Sequence, residues 1–566
     1  LALDRIGLAF RTAINELDWF VWNYTQQQER TEELDEQYII ISQGVTRLIR
    51  LSLQIHGGYP VPAVTFRRQN GPYREVLLLV SHLGFIQHGR RIADSAFAGI
   101  CQVRRGAEGR YEFVLPAGIV NHGAVEDDVD SHFAREVARL RHEFMQQAEG
   151  RNLQRAVNEL HDENVFIYRE HFMGYEADPL LDEHYFQIAW SDLRSDTGFD
   201  SFNELREFGG ITYLKYTLAA AFIISLCRKH EAFCQSMVKK HPEIRMEDIL
   251  TISADRAGLI TSIREALNLV GRKFLHYTTT TEEEAEQIYE IIAVTPRNAD
   301  LLDGAFPALP CIIEFANGGI VKCLAGKYRQ MEFLLSALRR AYPREYDAYQ
   351  QLREGSFQTA VEGLLESSFP HLEMRRNIRL RKEGRLLTDV DLAVIDRQQG
   401  HLLLIQLKFQ DVARGNFRVE ASRMGRFRDE SVHWLETVSR WLSSTDERTL
   451  RSTFRIPRGM RINRIRKLIL ARHHAWSLRS VRLDEDTVFA SWNQLINVVM
   501  LMEKRQGDFC TLNGLHAILR THIVDAPDRY HRDEGPVEYV LNSLKFAVIQ
   551  ADPAELSSPA TATGPS

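Results

Sequence analysis

Two short stretches carry side chains whose types and spacing could do phosphate chemistry. Asp389 and Asp391 stand two apart in LLTDVDLAVI, and Gln406 and Lys408 stand two apart in LLLIQLKF. In an extended strand, residues two apart project to the same face. If the two strands pair through the short turn at 397–400, Asp391 comes near Gln406 and Lys408. Charged groups flanked by Val390, Leu392, Leu407 and Phe409 are costly to desolvate alone. A divalent cation on the carboxylate side and an ammonium group beside it would offset that cost.

Stepping outward, the elements that must position these groups are legible as patterns. Ser356 to Phe369 reads as an amphipathic helix with Phe357, Val361, Leu364 and Leu365 inward, stopped by Pro370. Met374 to Leu380, Leu387 to Ile395 and His401 to Phe409 read as three strands separated by Lys382-Glu383-Gly384 and 397–400. The run Leu402 to Ile405 is apolar without alternation, as in a strand buried on both faces. Arg423 to Leu442 is a helix with Trp434, Leu435, Val438 and Trp441 on its apolar side. Arg464 to His473 and Thr487 to Ser491 follow as strands, and Gln494 to Met502 as a helix. The order α-β-β-β-α-β-β-α predicts an α/β (mixed α+β) fold with a mixed sheet flanked by helices.

The strand–turn–strand DVDLAVIDRQQGHLLLIQLKF resembles the PD-(D/E)XK, or restriction-endonuclease-like, phosphodiesterase superfamily in its variant with Gln at the third catalytic position. The resemblance covers about 345 to 505. It implies that Asp391 is the motif Asp, Gln406 the third residue and Lys408 the motif Lys. The frame Phe357-x3-Val361-x2-Leu364-Leu365 resembles the first helix of the type IV restriction branch. There a glutamate follows the Phe; here that position is Gln358. Glu362, one turn later, is the substitute, and Glu366 is a further option. The resemblance implies a Mg²⁺-dependent endonuclease, with Mn²⁺ as a substitute. Asp391, the Gln406 amide oxygen and the Leu407 carbonyl are its expected ligands. Lys408 is expected to orient or deprotonate water, and Glu362 to position metal or water. Asp389 is read as a strand-start or supporting residue.

Basic residues near this motif fit a polyanionic substrate, DNA rather than RNA. Arg375, Arg376 and Arg379 line the first strand, and Arg455, Arg458, Arg461 and Arg464 belong to a run from 451 to 480 with no Asp or Glu. The bland reading of this run is a solvated strand edge. His473-His474 reads as structural, Cys227 and Cys234 as core thiols, and the acidic stretch 173–184 as a surface loop.

The rest of the chain bounds the reading. Its 566 residues exceed one core, and its net charge of −6 leaves basicity to be segregated by region. The expected units are a mixed α/β domain 1–130, with short β runs from 56 to 125. A helical domain 131–295, a hairpin connection 296–345, the nuclease-like domain 346–550 and a disordered tail 551–566 follow. Six cysteines without CxxC spacing argue against a disulfide framework or zinc and for a reducing, cytoplasmic setting. The best apolar run, Leu218 to Cys227, is too short for a membrane span and reads as a buried helix. The first residues have no signal-peptide layout, and without a leading Met further residues are expected upstream. Residues 1–345 are expected to serve recognition, oligomerisation or a partner protein, and genome defence or DNA processing is the setting that the resemblance suggests. The alternative is a nuclease-fold module that binds nucleic acid or a partner without cutting.

Overall fold

The computed structural model describes residues 3–26, 32–56, 70–97, 101–106, 109–115, 143–168, 172–197, 202–304, 307–315, 318–410, 417–505, 511–525, 537–541 and 544–550. The chain is mixed α/β and divides into two compact units: 1–93 with 143–350, and 94–142 with 351 onward, apart from 414–416. The tail 551–566 lies outside the described residues, as do parts of the expected helix from His132 to His161; 148–164 is helical.

The first unit is helix-rich. The helix Tyr213–Lys240 is buried along most of its length, as its apolar run predicts. Thr281 caps the helix Glu282–Ile292 in a reciprocal capping box with Glu284. The hairpin expected across Asn317-Gly318-Gly319 has the strands Ile312–Glu314 and Gly319–Lys322, and Ile252–Asp255 adds a third strand to their sheet.

Two expectations fail here. REVLLLVSHLGF, read as strand, lies in the helix Asn70–Phe97. A short Leu/Val run serves a buried strand or a helix equally well. Helix packing decides between them: a Cβ on Gly44 would meet the Val80 carbonyl oxygen at 2.0 Å, and one on Gly84 the Ile40 carbonyl oxygen at 2.1 Å. Of the stretch 173–184 read as an acidic loop, the second half belongs to the helix Pro179–Thr197 and the first residues to the strand Phe172–Tyr175. Asp178 accepts from the Leu180 and Leu181 amides, and Asp182 and Glu183 pair with Lys229 and Lys273.

The second unit holds a five-stranded sheet. Its elements are α1 (Pro343–Ser368, which begins within the first unit), β1 (Glu373–Lys382), β2 (Arg385–Asp396), β3 (His401–Lys408), α2 (Phe417–Ser444) and α3 (Glu447–Phe454). They continue with β4 (Arg464–Ala471), β5 (Thr487–Ser491), α4 (Trp492–Arg505) and α5 (Leu512–Leu519). The strand order is β1-β2-β3-β4-β5. The first three strands run antiparallel, and β3, β4 and β5 run parallel. Glu383 and Gly384, both at positive φ, turn β1 into β2. Asp396 accepts from the Gln398 and Gln399 amides and closes the next turn. On α2, the indole N–H groups of Trp434 and Trp441 donate to the Asp389 and Arg381 carbonyls, anchoring the helix to β2 and β1.

A second sheet joins Gln102–Arg105 and Tyr111–Leu115 to Val537–Leu541 and Leu544–Gln550. The early strands thus group with the C-terminal unit and not with a domain 1–130. A pairing between partners more than 400 residues apart leaves no local signal in either segment.

Candidate functional site

The site forms where β2 and β3 stop pairing. The ladder runs from Asp396↔His401 to Leu392↔Ile405. At the next position the Leu407 N–H donates to Asp391 Oδ2 at 2.6 Å. A side-chain carboxylate has replaced a backbone partner, so the strands separate at Asp391. The alternation of the ladder sets Asp391, Gln406 and Lys408 on one face. The sequence-predicted Asp391, Gln406, Leu407 and Lys408 therefore come together, with Leu407 entering as a donor through its N–H.

Each group in this cluster is held differently. Burial pushes the Asp391 carboxyl up to about 6; the Leu407 hydrogen bond and Lys408 oppose the rise, and Asp389 and Glu354 add to it. Gln406 is 8% exposed, and its Oε1 is buried with no hydrogen-bond partner among the described residues. An orphaned amide oxygen beside a desolvated carboxylate is a costly arrangement without a positive partner. Lys408 Nζ donates to Glu430 Oε2 of α2 at 2.8 Å, across a pair whose Glu430 side is half exposed.

The helix α1 supplies different residues from those expected. Glu362 is buried, and its carboxylate pairs with Arg376 of β1. Among the described residues no hydrogen bond or ion pair links it to Asp391, Gln406 or Lys408. Gln358 Nε2 instead donates to the Asp391 carbonyl at 2.7 Å and fixes the backbone of the site. Glu354, one turn earlier and exposed to solvent, acts electrostatically on Asp391 and is itself acted on by Lys408; partial desolvation raises its carboxyl above the ordinary range. The sequence reading passes over Glu354 because the apolar frame of the helix points to later turns. Its spacing of four from Gln358 and eight from Glu362 was the available signal. Glu366 is exposed.

Asn377 was also missed. It lies in β1 between the pairs Arg376↔Leu392 and Ile378↔Val390, at the position facing Asp391, with φ of +51°. Left-handed backbone inside a strand is strained for residues other than glycine, and among those Asn tolerates it well.

The arginines separate into two groups. Arg375, Arg376 and Arg379 face Ala393, Leu392 and Asp389 across β1–β2, beside the site. Arg375 is tied to Glu373 and Arg376 to Glu362, and Arg379 is exposed. Arg464 sits beside His401 at the other end of β3, seven residues from Lys408, which is roughly 23 Å along a strand. It pairs with Asp486 and Glu485. Arg455, Arg458 and Arg461 precede it and are exposed. Arg461 and Arg464 therefore lie at the Gly400 end of β3, away from Asp391. Of the other residues singled out, Gln410 Oε1 holds the His473 and His474 amides, and Cys227 and Cys234 are buried free thiols.

No family model, curated protein or solved structure matches this chain. Among the described residues, no group of three or more His, Cys, Asp and Glu could hold a metal ion. Any cation at this site would therefore rely on at most two carboxylates, with amide or carbonyl oxygens and water. Mg²⁺ accepts such a set, because it keeps several waters and takes one or two carboxylates; zinc does not. Among the described residues, no helix is long and apolar enough to cross a membrane.

Proposed function

We propose that the second unit is a restriction-endonuclease-like phosphodiester hydrolase that cuts DNA with Mg²⁺ or Mn²⁺ at Asp391, Gln406 and Lys408. The observation that carries this reading is the separation of β2 from β3 at Asp391 beside the orphaned Gln406 oxygen. Asp391 and the Gln406 amide oxygen would hold the cation, and the residues present fit it: one carboxylate, one neutral oxygen and no competing donor on Gln406 Oε1. When bound, the cation neutralises phosphate charge and makes its water more acidic.

The remaining work falls to the chain. Lys408 Nζ stands on the same face as Asp391, where it orients the attacking water and offsets charge on the phosphate oxygens. Glu430 holds that ammonium in place until substrate arrives. Glu354 adds negative potential that favours a cation at Asp391. Gln358 fixes the Asp391 backbone, so the carboxylate direction does not depend on a mobile side chain. Arg379, exposed on β1, is the arginine best placed for the substrate backbone. The first unit would serve recognition or assembly, and a cytoplasmic role in genome defence follows the same analogy.

The test is cleavage of supercoiled plasmid by the full chain with Mg²⁺ or Mn²⁺, abolished in Asp391→Ala and Lys408→Ala. One observation favours a second reading, a binding module that does not cut: the Lys408 ammonium already has a carboxylate partner in Glu430. Salt-dependent DNA binding without metal-dependent cleavage would decide for that module.

A further inference from the structure

The opposite face of the same sheet carries a second cationic cluster, at the other end of the strands. Arg464 and Arg466 are two apart on β4 and pair with His401 and Leu403 of β3, so all four share one face. Gln406 and Lys408 are on the other face. From Leu403 to Lys408 is five residues, roughly 17 Å. The cluster is thus separate from the Asp391 site both in face and in position.

Arg466 is only 4% exposed, yet its guanidinium is incompletely satisfied. One Nη2 contact goes to Asn513 Oδ1 of α5. Its Nε and Nη1 find no hydrogen-bond partner among the described residues, and the nearest carboxylate oxygen, on Asp486, is 4.0 Å away. That Asp486 is already engaged by Arg464, which also takes Glu485. Arg520, nearby, is matched by Asp525. His516 of α5 is 6% exposed with Nε2 unpartnered, and His401 Nδ1 is buried and unpartnered as well. Asp396, whose field reaches His401, accepts through Oδ1 within its own turn, and its Oδ2 is buried without a partner among the described residues. Among the described residues, no carboxylate oxygen pairs with the Arg466 guanidinium more closely than that 4.0 Å.

A buried guanidinium with two open donors and two imidazole nitrogens in its surroundings is a costly arrangement unless an acceptor fills it. Planar paired N–H groups match tetrahedral oxyanions well. We propose that Arg466, with His516, His401 and Asn513, forms a binding site for a phosphate-class oxyanion, distinct from the Asp391 centre. The two histidines agree with an unfilled cationic site. Burial and then the neighbouring Arg466 bring His516 down to about 4, and the same two causes lower His401.

The anion could be free phosphate or the phosphate of a mononucleotide, and the experiment separates them. Thermal unfolding of the full chain is followed with inorganic phosphate, adenosine 5′-monophosphate, adenosine and chloride at matched ionic strength. At a hundredfold excess over Kd, phosphate is expected to raise the melting temperature of the second unit by about 5 to 10 °C. A larger rise with the monophosphate but none with adenosine would identify a nucleotide as the source. Arg466→Met is expected to abolish the rise and Asp391→Asn to leave it intact, so its failure is distinguishable from failure of the hydrolase reading. If Arg466→Met does not fold, the His516 ring resonance in the unaltered protein, assigned through His516→Gln, gives the same answer. Its titration midpoint should move up by about one pH unit or more in phosphate against chloride. No stabilisation by phosphate, an equal rise in Arg466→Met, or an unmoved His516 midpoint would overturn the site.

Discussion

Asp391 Oδ2 takes the Leu407 N–H at 2.6 Å, and that single contact decides both where two strands part and which way a half-buried carboxylate points. The same burial that orients it lifts it to about 6 from 3.8. Because the folded value lies above the unfolded one, its contribution to stability is fully present below 3.8 and is lost as pH rises through about 6. Asp391→Asn keeps an oxygen for the Leu407 N–H and removes the desolvated charge. The variant should be more stable than the parent in urea unfolding at pH 7.5 and no different at pH 3.5. It should also cut at least about 10³-fold more slowly. Equal stability of the two proteins at pH 7.5 would contradict the burial argument.

The proton on Asp391 competes with a cation. Mg²⁺ affinity, read from melting-temperature shifts or from cleavage against metal concentration, should be nearly constant above pH 7. Below about 6 it should fall, approaching tenfold per pH unit. A flat profile from pH 5 to 8 would show that Asp391 is not the principal ligand.

The helix carboxylates are told apart by a pair of substitutions. Glu354 acts on Asp391 and Lys408, while Glu362 is committed to Arg376. Glu354→Gln should lower cleavage about 10- to 100-fold with little change in stability. Glu362→Gln should leave cleavage within about threefold and change stability by about 1 kcal/mol at most, because Arg376 is half exposed. The opposite ranking in initial rates would restore Glu362 to the site.

How far the sequence reaches is clear from these residues. The strands and their faces were legible because a period of two, with turns at Glu383-Gly384 and Gly400, leaves few registers open. That is why Asp391, Gln406 and Lys408 meet. The helix residue was not legible. An amphipathic helix announces its buried side but not which turn of that side reaches the end of the sheet, so the sequence reading offers Glu362 and Glu366 and passes over Glu354. The left-handed Asn377 leaves no pattern, and the partner of Lys408, Glu430, lies on a helix 22 positions away. The basic run 451–464 misled for a related reason. Its charge is evident, but the parallel β3–β4 crossover carries Arg461 and Arg464 to the Gly400 end of β3.

The two arginine groups should therefore behave differently. Arg379→Ala is expected to weaken DNA binding and to reduce the slope of log affinity against log salt by about one. The double variant Arg458→Ala, Arg461→Ala should leave the cleavage rate within about twofold. Fluorescence anisotropy over 50 to 200 mM salt, with cleavage measured in parallel, checks both, and a rate collapse in the double variant would place substrate at the far end.

Gln406 offers the sharpest test of why a neutral side chain occupies its position. Gln406→Glu places a second carboxylate beside Asp391 in a desolvated setting, where like charges disfavour simultaneous ionisation. Without metal, the variant should be less stable than the parent at pH 7.5, by about 1–3 kcal/mol, and the gap should narrow as pH falls and one carboxyl takes up a proton. With saturating Mn²⁺ the order should reverse, because the cation now gains a charged ligand in place of an amide oxygen. Melting curves in chelator and in Mn²⁺ at both pH values read the result. If Mn²⁺ leaves the deficit of the variant unchanged, no cation lies between Gln406 and Asp391.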